Sequence, residues 1–409
     1  MKIKWSVGVM ALCMPIMAQA IVGGSNSNEN FVVSVDASSF AEQSRCGGTI
    51  VNSRWILTAA HCLIKSSSTQ ETSGSNSESF TKYEIVALKE VSIRAGILDL
   101  FQSQVEHIYD VSHVVIHPDY MPLQSTKQTE QGEELVSTAY QHDLALIRVK
   151  RDLPATPVTL INTTSYQDFL TEVAKWDDAT RDENALVLGW GSDVPNAPSV
   201  DTPPPIPEEI LLKQADIAMV PIAECFDMLE QANTLPLYIA SSADVTKLCT
   251  LPKQLIHLGN ETYGHGACLG DSGGPLVWSD LLGNQFQVGI ISASPLINTV
   301  CSSVTYPTWY TNVVTYLDWI SSYTDAVNPP TQQITKPTFM TSATTESPSE
   351  GTQPSGQCNS NTSASVGGGE VALGCAESDS SGSLGWLSLL SLLFLYSRRK
   401  NRLNRGGIT

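Results

Sequence analysis

Gly270-Asp271-Ser272-Gly273-Gly274-Pro275 places a serine on a tight turn, between glycines that let a substrate carbonyl come close to the backbone. A Gly-x-Ser-x-Gly on its own is a weak sign of a nucleophile. Here two further segments supply the partners such a serine needs. Thr58-Ala59-Ala60-His61-Cys62 brings a histidine, and Asp143-Leu144-Ala145-Leu146-Ile147 brings an acid at the head of an apolar strand. A serine hydroxyl is too weak a nucleophile to attack an amide at neutral pH. An imidazole that takes its proton, and returns it to the leaving amine, removes that obstacle. The three groups occur in the order His, Asp, Ser, one of three orders in which this constellation recurs.

With these motifs the chain resembles the trypsin/chymotrypsin-type (S1) serine proteases, from Ile21 to about Asp325. The mechanism implied is that family's own. The resemblance makes Ser272 the nucleophile, His61 the general base and acid, and Asp143 the group that fixes the imidazole tautomer. It assigns the oxyanion hole to the N–H groups of Gly270 and Ser272. It also implies that Ile21, at the head of Ile21-Val22-Gly23-Gly24, becomes a free ammonium that folds inward to pair with Asp271. Relatives hide this terminus behind a segment ending in Arg or Lys, but here Ala20 precedes Ile21, so signal peptidase itself is expected to generate the active form. The specificity pocket falls at Gly266 (its base), Ser292, Ser294 and Thr308. Gly266 stands where trypsin-like members carry an aspartate, so cleavage after Lys or Arg is not favoured. Ser294 and Thr308 narrow the pocket toward an elastase-like preference for small or medium apolar side chains. A chymotrypsin-like preference and a non-catalytic protein-binding homologue are the alternatives. The other histidines, among them His107, His113, His117, His142, His257 and His265, lack the flanking signature and read as surface or packing residues.

The chain has 409 residues and a formal charge of −18, which excludes nucleic acid as a partner, because a phosphate backbone requires clustered Lys and Arg. Residues 1–20 read as a secretory signal: Lys2 and Lys4, an apolar stretch from Trp5 to Met17, then Ala18-Gln19-Ala20. Of nine cysteines, Cys13 leaves with that signal, and the remaining even number suits an oxidising compartment. The family pattern implies the pairs Cys46–Cys62, Cys225–Cys249 and Cys268–Cys301, with Cys358 and Cys375 left to pair in the tail. Ala95-Gly96-Ile97-Leu98-Asp99 lacks the clustered carboxylates of a calcium loop, and neither a metal nor a cofactor is expected.

Positioning these groups falls to many short apolar runs broken by Gly, Pro, Asn and Ser, which argue for an all-β architecture. The resemblance sharpens this to two six-stranded antiparallel barrels with the site between them, over residues 21–325. Val313, Tyr316, Leu317 and Ile320 repeat at helical spacing and mark a C-terminal helix. Polar insertions at 66–79, 124–141 and 194–207 read as surface loops. Residues 326–382, rich in Pro, Ser, Thr and Gly, read as a disordered stalk with too few apolar residues for a core. Residues 383–402 open an apolar stretch running to Tyr396, followed by Arg398, Arg399, Lys400 and Arg402. This resembles a GlyGly-CTERM sorting tail, although Ser381-Gly382 stands where two glycines are expected. The resemblance implies a short transmembrane helix with its basic end in the cytoplasm, cut by a rhombosortase-like protease. A permanent membrane anchor is the alternative, for which the apolar stretch is short. The whole predicts an exported endopeptidase acting on polypeptides, periplasmic and then at the cell surface or outside it.

Overall fold

A computed structural model describes residues 21–37, 45–73, 76–129, 132–192, 210–230, 238–253, 255–258, 261–295, 301–341, 363–366 and 369–372. The signal segment, Cys358, Cys375, the polar insertion at 194–207 and the sorting tail lie outside these residues. No helix among the described residues is long and apolar enough to cross a membrane.

The first barrel is built from β1 (Val32–Ala37), β2 (Arg45–Ile50), β3 (Trp55–Thr58), β4 (Val91–Arg94), β5 (Ile108–Ile116) and β6 (Ala145–Val149). All neighbours are antiparallel, and β6 closes the ring by pairing with both β3 and β5. Along β5 the first four residues alternate, with Tyr109 and Val111 inside and Ile108 and Asp110 outside, the period-2 signature of a half-buried strand. Strand β6 instead hides residues on both faces, so it reads as an apolar run, Ala145-Leu146-Ile147, before Arg148. Val33, Val35, Ile56, Leu57, Ile93, Val114 and Leu146 belong to its buried core, each shielded fully from water.

The second barrel comprises β7 (Ala185–Gly189), β8 (Lys213–Val220), β9 (Lys247–Leu251), β10 (Pro275–Ser279), β11 (Gln285–Ala293) and β12 (Thr308–Asn312), closed by the β8–β9 pairing. Its core gathers Val187, Ile217, Leu276, Val288 and Tyr310 around the side chain of Ile21, which is 0 % exposed. Helix α1 (Thr163–Val173) starts at Asn162, whose side chain accepts from the N–H groups of Thr164 and Ser165. Helix α2 (Ile222–Glu230) carries Cys225, and α3 (Leu317–Thr324) follows a 3₁₀ turn at Val313–Tyr316.

Two expectations need correction. The polar stretches at 66–79 and 124–141 lie largely in two-stranded antiparallel hairpins, Ile64–Ser73 with Asn76–Ile85 and Met121–Thr129 with Gly132–Gln141. Backbone pairing needs no apolar side chains, so composition could not reveal it. The chain also stays packed on the first barrel past Asp325. Ile334–Thr335 add to β5 in parallel, and Phe339 and Met340 pack against the barrel core. The stalk reading therefore began too early: a few residues sufficed to dock a segment that composition marked as unable to build a core of its own. A separate hairpin, Ser363–Val366 with Gly369–Ala372, lies further along.

Candidate active site

Strand register brings the histidine and the acid together. In the first barrel Ala145 pairs with Thr58, so Asp143, two residues before Ala145, meets His61, three residues beyond Thr58. His61 Nδ1 donates to Asp143 Oδ2 at 2.8 Å, and the His61 backbone N–H donates to Asp143 Oδ1 at 2.9 Å. Asp143 is 0 % exposed, whereas the His61 side chain keeps 16 % of its surface open. Burial pushes the Asp143 carboxyl up. The His61 imidazole, its two donors and the Ser292 hydroxyl outweigh that and hold the group below its ordinary value.

Ser292 is the first surprise. Expected as a pocket wall, it is 1 % exposed and donates its Oγ to Asp143 Oδ2 at 2.6 Å. Thr311 Oγ1 donates to the Asp143 backbone carbonyl at 2.9 Å. Both come from the second barrel, so the carboxylate is held from both sides of the cleft.

Ser272 sits on the turn between Cys268 and β10. Its carbonyl accepts from the N–H of Gly47, in the first barrel, at 2.7 Å and lies 3.6 Å from Cys62 Sγ, next to His61 in sequence. Gly273, at φ +83°, is required here twice over: its backbone lies in the left-handed region, and a Cβ would strike Thr58 Oγ1 and the Gly47 carbonyl. Gly270, the other oxyanion candidate, has φ +99°.

Behind the turn, Asp271 is 0 % exposed and accepts from the N–H groups of Gly191 at 2.7 Å and Cys268 at 2.9 Å. Burial pushes its carboxyl up to about 7, against the pull of these two donors. A Cβ at Gly191 would sit 2.5 Å from the carboxyl carbon, so only glycine leaves room for Asp271. Ile21, its expected partner, is buried in the same barrel with φ +56°, a conformation that costs a β-branched residue dearly. Val22 exchanges two backbone hydrogen bonds with Gly266, at 3.1 and 3.2 Å, so the segment is already docked.

Gly266, the expected pocket base, has φ +150°, and a Cβ there would meet Ser302 Oγ at 3.2 Å. Thr308 opens β12 opposite Thr250, and Ser294 follows the end of β11; both are half-buried. The disulfides Cys46–Cys62, Cys225–Cys249 and Cys268–Cys301 are formed. Donor atoms of Cys46, His61 and Cys62 lie within 4.8 Å of one another, but the disulfide removes the thiolates a metal would need.

Sequence reading missed Tyr140. Its ring stacks face to face on His61, centroids 4.5 Å apart and planes 7° from parallel. The buried Nζ of Lys247, from β9, donates to its backbone carbonyl. No motif marks Tyr140; only its place three residues before the acid hinted at it. His117 and His142 stack on each other at 5.5 Å, and His142 Nδ1 meets the Tyr316 hydroxyl at 2.9 Å. Burial, then the neighbouring His142, push the His117 imidazole down to about 4. Both are packing residues. A groove of ≈ 800 Å³ lies on the outer face of the second barrel, lined by Asp168, Glu172, Asp216 and Trp278, and holds none of the triad.

The family model for Trypsin matches residues 21–320. Ovochymase of Halocynthia roretzi is 28 % identical over 278 residues, 67 % of this chain and 13 % of its own length. Serine proteinase stubble of Drosophila melanogaster is 26 % identical over 328 residues, 76 % of this chain and 32 % of its own. Tryptase of Mus musculus is 25 % identical over 308 residues, 75 % of this chain and 89 % of its own. The chain thus spans a minor part of the first two relatives and most of the third. Since the family match covers most of the chain, including the stretch that carries both barrels, the chain belongs to the trypsin family.

Proposed function

We propose that the protein is a serine endopeptidase. The observation that carries this reading is the buried Asp143 carboxylate hydrogen-bonded to His61; support also comes from the Ser272 turn, whose carbonyl is bonded to the Gly47 N–H of the first barrel. Asp143 holds the Nδ1–H tautomer, which leaves Nε2 free of its proton to act as base toward Ser272. Ser272 Oγ attacks the peptide carbonyl, and charge on the tetrahedral oxygen is met by the N–H groups of Gly270 and Ser272. His61 then protonates the leaving amine, and water hydrolyses the acyl-enzyme by the same route in reverse.

For specificity, an uncharged base at Gly266 and half-buried Ser294 and Thr308 favour small or medium apolar residues before the cleaved bond. With the Ser292 hydroxyl committed to Asp143, the narrowing rests on Ser294 and Thr308 alone. One methylene in such a pocket is worth about 1–3 kcal/mol.

Activation is read from Ile21 and Asp271. An ionised, unpaired Asp271 is costly to bury, and an ammonium released at Ile21 would neutralise it. Cutting before Ile21 also abolishes the φ constraint at that residue, which releases local strain. Signal peptidase cutting after Ala20 would do both in one step, in an exported protein. The tail beyond residue 382 would hold the enzyme at a membrane until a rhombosortase-like protease removes it.

The test is a panel of peptide anilides that differ only in the residue before the scissile bond, assayed with the enzyme and with Ser272→Ala. The expected result is cleavage after Ala and Val, at least about 10-fold above Phe and Arg, and none with the variant. Preference for Arg would overturn the pocket reading, and equal turnover by the variant would overturn the enzyme.

A further inference from the structure

The chain beyond α3 runs back along the first barrel and packs Phe339 against Tyr83 and Tyr120. The Gln333 carbonyl accepts from the Val114 N–H at 2.8 Å, and Ile334 and Thr335 lie in register with Val114 and Val115 of β5. The Thr338 N–H then donates to the Pro118 carbonyl at 2.7 Å, which ties the segment to the turn that carries Tyr120. A 3₁₀ turn at Thr338–Met340 presents Phe339.

From Phe339 a column of rings leads to the catalytic imidazole. Phe339 lies 5.5 Å from Tyr83, edge-on, and 6.2 Å from Tyr120. Tyr120 is 2 % exposed and lies 6.3 Å from Tyr140, near parallel. Tyr140 stacks on His61. These separations fall in the range where aromatic pairs attract beyond simple burial. The family match ends at residue 320, so Phe339 belongs to an addition to the matched domain.

We propose that residues 333–341 form a strap, and that Phe339 is a positioning residue for His61, acting through Tyr120 and Tyr140. A single hydrogen bond at Nδ1 tolerates tilt of the imidazole plane; a ring packed flat against its face does not. Lys247 anchors the Tyr140 main chain from the second barrel, and the Tyr120 ring braces Tyr140 from the first. Phe339 in turn closes the outer side of Tyr120. Removing it lets the column relax outward, and a general base displaced by about 1 Å loses on the order of 100-fold in rate.

The inference rests on His61 being the base of the proposed endopeptidase, and the experiment separates the two. Full-length Phe339→Ala, Phe339→Leu and Phe339→Tyr are compared with Leu153→Ala, a truncation in the first-barrel core at a residue whose N–H donates to the Ser53 carbonyl. Measured are kcat and KM on a peptide anilide, the melting temperature, and the far-downfield proton resonance of His61 Nδ1–H. Phe339→Ala is expected to lower kcat about 10- to 100-fold with KM within about 2-fold, and to broaden the resonance. Phe339→Tyr restores both. Leu153→Ala lowers the melting temperature while kcat stays within about 2-fold, assayed well below unfolding. Should Phe339→Ala fail to fold, Phe339→Leu, which keeps apolar bulk without a ring, is expected to lose about 3- to 10-fold in kcat. Unchanged kcat in a folded Phe339 variant, or an equal kcat loss in Leu153→Ala, overturns the strap. Absence of turnover in the unmutated enzyme would instead defeat the functional reading.

Discussion

The two barrels contribute to the cleft in different ways. The first brings His61 and Asp143 together by strand register: once β3 pairs with β6, imidazole and carboxylate are in hydrogen-bond contact, and Ser292 and Thr311 of the second barrel brace the carboxylate. The second delivers Ser272 on a turn whose support is a buried carboxylate, Asp271, held by two backbone N–H groups and pushed up to about 7 by burial. The carboxylate of the first barrel has an imidazole and a serine hydroxyl to stabilise its charge, while that of the second has two backbone N–H donors and, under the proposed activation, would gain the Ile21 ammonium. On the proposed reading, half of this site is finished by folding, and the other half responds to a change in covalent structure.

The sharpest way to break this division is to remove each half in turn. Ser272→Ala is expected to lower kcat about 10⁶-fold, and Asp143→Asn about 10⁴-fold through the wrong imidazole tautomer, both by steady-state kinetics with unchanged circular dichroism. Comparable activity in Asp143→Asn would mean that the first barrel does not orient the base.

The next test concerns Asp271 and pH. Its folded value, about 7, lies above the ordinary carboxylate value of 3.8, so the folded state binds the proton more tightly. That contribution is fully present below about pH 4 and is lost as pH rises toward 7. In a form that retains residues 1–20, stability should therefore fall by on the order of 4 kcal/mol between those limits, relative to Asp271→Asn in the same form. A form beginning at Ile21 should lack that loss, because the new ammonium keeps Asp271 ionised. Denaturant titrations at pH 4, 5.5 and 7.5 measure it, and identical slopes in all three proteins would contradict the account.

Smaller effects sharpen the picture of the first barrel. Ser292→Ala removes one charge-assisted hydrogen bond from Asp143 and should cost about 1.5–3 kcal/mol of stability at pH 7. The sign of its pH dependence is opposite to that of Asp271. Asp143 is held below its ordinary value, so its contribution is present above about pH 4 and lost as pH falls through the folded value. The difference between wild type and Ser292→Ala should accordingly shrink in acid, as chemical denaturation at pH 3 and pH 7 would show.

Much of this was legible in the sequence because catalytic groups carry local signatures. His61 and Ser272 sit inside short motifs, and Asp143 heads an apolar run. The residues that support them carry none. Ser292 read as a pocket residue from its place in the Ile290-Ile291-Ser292 segment, whereas its hydroxyl is bonded to Asp143; which way a strand residue points depends on pairing partners far away. Helix α1 went unnoticed because its 11 residues bury only Phe169 and Val173, too few to show a periodic stripe. Tyr140 and Phe339 are visible only in three dimensions, since their importance lies in stacking across some 280 residues of chain. Local chemistry is written locally, and its positioning is spread over the whole fold.

Treatment with a fluorophosphonate, followed by peptide mapping, addresses the central claim most directly, because the reagent requires an activated serine. The account predicts one adduct, on Ser272, absent from Ser272→Ala and strongly slowed in His61→Ala. A folded protein that takes no label, or that takes it on another residue, would contradict it.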